Sequence, residues 1–394
     1  MSRIVVFILL GCCFIFACQP SQPSEKIGEL IESIRSENAP DKRVAIWDIS
    51  PKLEGQRLIL KGKTNLPQAL DELKTQLKAL DIPWSDSIVR LPDAQVFGET
   101  IYGIVNLSAC NIRSQAKHSG ELATQSTLGT TLKLLEKDGD WYRVQTPDGY
   151  LGWLDAGGFV AVNEQQLQAW KKGDLQIYLP QSGFAYASPA ENSGIVSDLL
   201  AGNLVSKTGT QGDFTAILFP DGRKGFVPNH SVENFSSWLD SRAPSPEQII
   251  GQAQQFMGRP YLWGGTSGKG MDCSGFTKTV FYLNGLILPR DASQQVHVGA
   301  PIPETDDIGD FQVGDLLFFG RKASENQSEK ITHVAIYMGN HKIIHAAGMV
   351  KIESLNPSDP DFAPDRLKTF VRAKRMLQDP TSHQITALAD SEWY

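Results

Sequence analysis

Positive charge is what this chain has least to spare. Its 37 Lys and Arg residues stand against 44 Asp and Glu, a net charge of −7. No basic cluster disturbs that balance, which excludes nucleic acid as a main partner. Cysteine is scarce: five in 394 residues, with Cys12, Cys13 and Cys18 crowded near the N-terminus. Histidine is almost as rare, at seven. Hydrophobic residues make up 41%, an ordinary globular share, and the length implies three or four domains.

The apolar run Ile4–Leu10 follows Arg3 and continues through Phe14-Ile-Phe-Ala17 to Cys18. A basic start, an apolar centre and a small residue before the cut describe an export signal over residues 1–17. The run is too short, and gives way too soon to Gln19-Pro-Ser-Gln-Pro-Ser24, for a membrane span. Ile15-Phe-Ala-Cys18 resembles a bacterial lipoprotein box, which makes Cys18 the expected lipid-attachment residue. The expected location is therefore the periplasm or cell envelope, with a membrane anchor at Cys18. An uncleaved anchor or a plain secretory cut is the alternative. After cleavage Cys18, Cys110 and Cys273 remain, and with Cys18 lipidated the body holds two thiols in an oxidising space. A Cys110–Cys273 disulfide is then a structural alternative to any chemistry at Cys273.

Residues 18–100 read as a tether and a small α+β region: a helix over Glu25–Arg35, strands at Val44–Ile49 and Arg57–Leu60, and a helix over Leu66–Leu80. No chemistry is legible there; it reads as a spacer. From about Tyr102 the chain repeats itself. Residues 121–154 match 194–227 without a gap at an offset of 73: Gly129 with Gly202, Gly139-Asp-Trp141 with Gly212-Asp-Phe214, Gly152-Trp-Leu154 with Gly225-Phe-Val227. Turn glycines and core aromatics kept in step imply two copies of one small barrel, at 101–162 and 163–240. The pattern resembles bacterial SH3-like domains. Asn163–Lys172 reads as a connecting helix. Two mismatches stand out, Glu121 against Gly194 and Tyr150 against Arg223. Ser241-Arg-Ala-Pro-Ser-Pro246 is a linker to a last domain at 246–376, and residues 377–394 form a polar tail expected to be loosely held.

The last domain carries the chemistry. Asp272 is a good N-cap for a helix in which Phe276, Val280 and Leu283 recur at helical spacing, so Cys273 belongs in its first turn. Backbone dipoles there favour the thiolate. His333 and His345 belong to strands joined near Gly339-Asn-His341. An odd loop places both imidazoles on one face of the sheet; an even one separates them. A thiol at a helix start with an imidazole on a neighbouring sheet is an arrangement suited to nucleophilic catalysis: His333 takes the thiol proton and His345 orients His333.

Pro260-Tyr-Leu-Trp-Gly-Gly265, Asp272-Cys-Ser-Gly-Phe276, Thr332-His-Val-Ala-Ile-Tyr-Met-Gly339 and Ile344-His-Ala-Ala347 resemble the NlpC-type cell-wall cysteine peptidases. The resemblance implies a multidomain α+β chain, two SH3-like barrels followed by a papain-like catalytic domain. It implies Cys273 as nucleophile, His333 as base, His345 as orienting residue and Tyr261 near the thiol. Two SH3-like domains before such a peptidase resemble the γ-D-glutamyl-L-diamino acid endopeptidases of murein turnover. Their substrate is a murein-derived peptide with a free N-terminal L-Ala. By that resemblance Asp291 holds the ammonium, Glu121 and Tyr150 close the blind end of the pocket, and Asp272 and Ser274 line the γ-D-Glu site. No cofactor or metal is implied.

Three other readings stay open: transamidation by the same thiol, a wall-binding SH3-like pair carrying an inactive peptidase, and Cys273, His333 and His345 as zinc ligands. His118, His230, His297, His341 and His383 are read as structural or solvated.

Overall fold

The computed structural model describes residues 23–54, 57–79, 83–303, 308 and 311–394. The export signal, Cys18 and Leu80 lie outside the described residues. The chain divides into a smaller unit (residues up to Pro40, with Ile46–Arg90) and a larger one (Asp41–Ala45, with Leu91–Tyr394).

In the smaller unit the strands Trp47–Glu54 and Arg57–Thr64 pair antiparallel, and Trp84–Arg90 adds parallel to the second. A parallel partner needs a crossover, and the helix Pro67–Ala79 supplies it. Its Leu70, Leu73 and Leu77 recur at helical spacing and pack with Ile27, Ile31 and Ile34 of the helix Pro23–Asn38. The sequence reading placed a strand at Val44–Ile49. The strand begins at Trp47 instead, and residues 42–44 form a turn that belongs to the larger unit.

The repeat is more complete in space than in sequence. The larger unit holds two seven-stranded antiparallel sheets, and every strand of the first has its counterpart 73 residues on, from Tyr102–Val105 and Leu175–Tyr178 to Phe159–Val162 and Val232–Asn234. The bulges repeat too, at Ile112/Arg113 and Ala185/Tyr186, and at Leu134/Glu136 and Lys207/Gly209. The spatial strand order is the same in both copies, so each is a β-barrel of one design. The asymmetric positions Glu121 and Tyr150 both lie in the first.

The last domain pairs the helix Cys273–Tyr282 with a six-stranded antiparallel sheet. Phe276, Val280 and Phe281 pack on Leu316, Phe318, Val334, Ile336 and Ile344; the alternate residues Leu317, Phe319, Ala335, Tyr337 and Ile343 build a second core on the other face. This is the period of two expected of a sheet buried on both sides. Residues 377–394 are not loose. Thr386–Ala387 pair with Leu286–Ile287, Leu388 is buried, and the Tyr394 ring packs on Phe235 and Tyr282. Its two aromatics give the tail enough apolar surface to offset the cost of ordering it.

The first barrel is bolted to the last domain by buried polar groups. Thr266 N–H donates to Gln125 Oε1 at 3.0 Å and Thr266 Oγ1 to the Gln125 carbonyl at 3.0 Å. Gln125 N–H returns a bond to Thr266 Oγ1, and Ser267 Oγ donates to Gln125 Oε1. Beside this seam Gly264 holds φ +80°, and a Cβ there would lie 2.1 Å from the Leu122 carbonyl oxygen. Gly264→Ala therefore combines backbone strain with an impossible contact. It should cost about 2 kcal/mol or more of stability, measurable by urea denaturation, whereas Gly139→Ala, at an open turn with φ +58°, should cost about 1 kcal/mol.

Candidate active site

Cys273 opens its helix behind an Asp272 N-cap whose Oδ1 accepts the Gly275 N–H at 2.7 Å. The thiol is 7% exposed. Burial, with the Asp272 carboxylate next to it, pushes its pKa up to about 11. Desolvation disfavours the anion here, against the helix start that favours it. The Val334 backbone N–H bonds toward the sulfur, which brings the thiol to the peptide unit directly following His333.

His333 and His345 reach each other by an unforeseen route. Gly339 pairs with Lys342, so the connecting loop is the two-residue turn Asn340-His341, both at positive φ. An even loop alone would point the imidazoles to opposite faces. A bulge between Tyr337 and Gly339 absorbs one residue, so His345 falls opposite Ala335, in step with His333. The rings meet edge to face, with His333 Nε2 2.7 Å from His345 Nδ1, and His345 Nε2 2.8 Å from Glu353 Oε2. Glu353 is held in turn by Lys351.

This chain of contacts fixes the tautomers. A carboxylate accepts, so His345 carries its proton on Nε2 and offers Nδ1 as acceptor. His333 then donates from Nε2, which leaves its Nδ1 unprotonated. Burial, and the nearby positive charge of Arg366, hold His333 well below its ordinary value. Burial lowers His345 to about 4 despite the Glu353 carboxylate. Burial thus favours the neutral forms of thiol and imidazoles alike. Among the described residues no group of three or more His, Cys, Asp or Glu is arranged to hold a metal, and the nitrogens facing each other across 2.7 Å are committed to one proton. Cys110 and Cys273 are both free thiols, so the disulfide alternative is not what the fold adopts.

A cleft of about 520 Å³ runs from the thiol to the first barrel. It is lined by Tyr261, Asp272, Cys273, Ser274 and Asp291 of the last domain and by Glu121 and Tyr150 of the barrel. Tyr261 is raised to about 12 by burial and by Cys273. Tyr150 OH donates to Asp291 Oδ2 at 3.0 Å, and Trp263 Nε1 donates to Glu121 Oε1 at 2.6 Å. Asp272 is heavily engaged: beyond its cap it accepts from Gly264 N–H at 2.9 Å and from both terminal nitrogens of Arg290, at 2.6 and 3.0 Å. Arg290 is 1% exposed and also reaches Ser274 Oγ at 3.1 Å. None of the seven histidines lines this cleft, His333 and His345 included; the strand residues that reach it are Lys330, Ile331 and Thr332.

Two contributors have no sequence motif. Glu353 ends the histidine relay. Arg43, from the supposed spacer, lines the cleft and bonds Asp291 Oδ2 at 2.7 Å. The only advance hint of Glu353 was its alternation with Lys351 along a strand pairing with the His345 strand.

The structure thus sets a buried thiol at a helix start and, on the sheet packed against that helix, a two-histidine relay ending in a carboxylate. The family model of the NlpC/P60 family matches residues 258–364, and that of the bacterial dipeptidyl-peptidase SH3 domain matches residues 112–158. The chain belongs to the NlpC/P60 family of peptidases. Among curated relatives it is similar to the gamma-D-glutamyl-L-lysine dipeptidyl-peptidase of Bacillus subtilis, 30% identical over 57% of this chain and 72% of that one. The protein of the same name from Bacillus cereus is 27% identical over 66% of this chain and 77% of that one. Among solved structures, an NlpC/P60 family protein from Bacillus cereus superposes with a TM-score of 0.60 at 23% identity, covering 70% of this chain and all of that one, a likeness of fold.

Buried neutral histidines have a consequence for stability. Both folded values lie below the ordinary 6.5, so their contribution is fully present above pH 6.5 and is lost as pH falls. For His345, lowered to about 4, the loss between these limits is on the order of 3 kcal/mol. Unfolding free energy measured by denaturant should fall over this window, and His345→Asn should flatten the fall.

Proposed function

We propose that this protein is a cysteine endopeptidase that hydrolyses the γ-D-glutamyl–diamino acid bond of murein peptides bearing a free N-terminal L-Ala. One observation carries the reading: Cys273 and an acid–phenol pair, Asp291 with Tyr150, line one cleft to which the first SH3-like barrel contributes. Such a pair suits an ammonium, which is costly to bury unpaired, and Glu121 adds a second negative charge to the same end.

His333 Nδ1 takes the Cys273 proton as the sulfur attacks the γ-carbonyl carbon. The Cys273 backbone N–H, at the helix start, supplies a donor for the resulting oxyanion. The imidazolium formed on His333 is stabilised through His345 by Glu353, and its proton passes to the departing amine as the thioester forms. Water, deprotonated by the same imidazole, then releases the dipeptide. Because burial favours the neutral forms of thiol and imidazole, proton transfer belongs to the attack itself. Asp272, locked by Arg290, fixes the floor beneath the glutamyl group, and the buried Ser274 lines the same cleft. The Cys18 lipid anchor and the envelope location expected from the sequence place the enzyme where released wall peptides pass.

Three measurements test this reading. The free peptide L-Ala-γ-D-Glu-L-Lys should be cleaved with kcat/KM at least about 10³-fold above that of its N-acetyl form, the scale of an unpaired buried charge; equal rates would remove the ammonium pocket. Cys273→Ala should abolish turnover, a loss of about 10⁴-fold or more. Iodoacetamide should inactivate the enzyme while a chelator leaves it unaffected; the opposite pattern would restore the zinc reading.

A further inference from the structure

Arg43 lies in the cleft although 248 residues separate it from its partner Asp291. The short turn Asp41–Ala45 clusters with the larger unit and is fastened to it from two sides. Leu151 N–H of the first barrel donates to the Arg43 carbonyl at 2.8 Å, and Gln145 Nε2 donates to the Val44 carbonyl at 3.3 Å. On the peptidase side Gln294 Nε2 donates to Asp41 Oδ2 at 2.8 Å.

The guanidinium held by this turn spans two carboxylates. Its Nε and Nη2 donate to Asp41 at 2.9 and 2.7 Å, and its Nη1 donates to Asp291 Oδ2 at 2.7 Å and Ser293 Oγ at 2.9 Å. Paired acids raise its already high pKa further, so it stays charged at any relevant pH. Asp291 Oδ2 is therefore shared by Arg43 and Tyr150. Asp41, Arg43 and Asp291 together keep one net negative charge, enough for one incoming ammonium. The guanidinium itself lies between the two acids and lines the cleft.

We propose that Arg43 is a specificity-determining residue, a hydrogen-bonded cation that stops the amine end of the cleft and limits the substrate to a single residue before the γ-D-glutamyl group. The proposal rests on the peptidase reading above. In the native enzyme the L-Ala ammonium meets Asp291 with Arg43 behind it. A peptide longer by one residue would carry its ammonium farther out, into the guanidinium, where both sterics and like charge reject it. If Arg43 is removed, that ammonium falls between Asp41 and Asp291 in the place the guanidinium held, and the same two carboxylates bind it.

The test compares L-Ala-γ-D-Glu-L-Lys with Gly-L-Ala-γ-D-Glu-L-Lys on the full chain and on Arg43→Gly and Arg43→Lys. The ratio of kcat/KM, extended over unextended, is read for each. Wild type and Arg43→Lys should keep this ratio low, about 10⁻² or less, and Arg43→Gly should raise it at least about tenfold, as expected when a charge clash becomes a charge pair. Adding Asp41→Asn to Arg43→Gly should reverse the gain, because the second carboxylate is gone. An unchanged ratio in Arg43→Gly, with both rates lowered together, would show a merely structural turn and overturn the proposal. So would a wild type that cleaves the extended peptide as well as the short one. Cleavage of neither peptide by wild type would overturn the peptidase reading itself.

Discussion

The hydrogen-bonded line from His333 through His345 to Glu353 is the constraint on which the site depends. Glu353 accepts only, and that single fact orders both imidazoles and leaves one nitrogen, His333 Nδ1, without a proton. The line exists because a bulge after Tyr337 shifts one strand by a residue. Without it a two-residue turn would put His345 on the wrong face of the sheet, where no orienting partner would reach His333. A local irregularity in strand pairing thus decides the protonation state of the base.

Around this line the protein keeps its reactive groups neutral. Burial raises the thiol and lowers both imidazoles, and the charge of Arg366 adds to the effect on His333. The charged pairs that do occur are set into the walls. Arg290, fully enclosed, neutralises Asp272 and ties Ser274 to it, and Arg43 ties Asp41 to Asp291. Each pair costs desolvation and gives back position rather than net stability. The barrel seam at Gln125 and Thr266 then holds Glu121 and Tyr150 at a fixed distance from the nucleophile, so the second wall of the cleft is as rigid as the first.

Motif residues close together in the chain were readable in advance: Cys273 behind its Asp cap, the two histidine strands, the 73-residue repeat with its paired turn glycines. The asymmetry at Glu121 and Tyr150 was legible because the second barrel provided an internal reference. What stayed hidden depends on tertiary structure. Val44-Ala-Ile46 reads as a strand by propensity, but Asp41 caps a turn there and the strand starts later. No spacing could connect Arg43 to an acid 248 residues on. The helix start at Cys273 is visible in sequence; the desolvation of its thiol is not. The tail was misjudged because two aromatics, Trp393 and Tyr394, outweighed its polar composition once a hydrophobic seat existed for them.

The relay is tested most directly by the tautomers of its imidazoles, read from ¹⁵N chemical shifts and one-bond N–H couplings of histidine-labelled protein at pH 7.5, with His333→Asn and His345→Asn used for assignment. The account predicts that both rings are neutral and protonated at Nε2, with His333 Nδ1 bare. A His333 ring protonated at Nδ1, or charged at that pH, would contradict it.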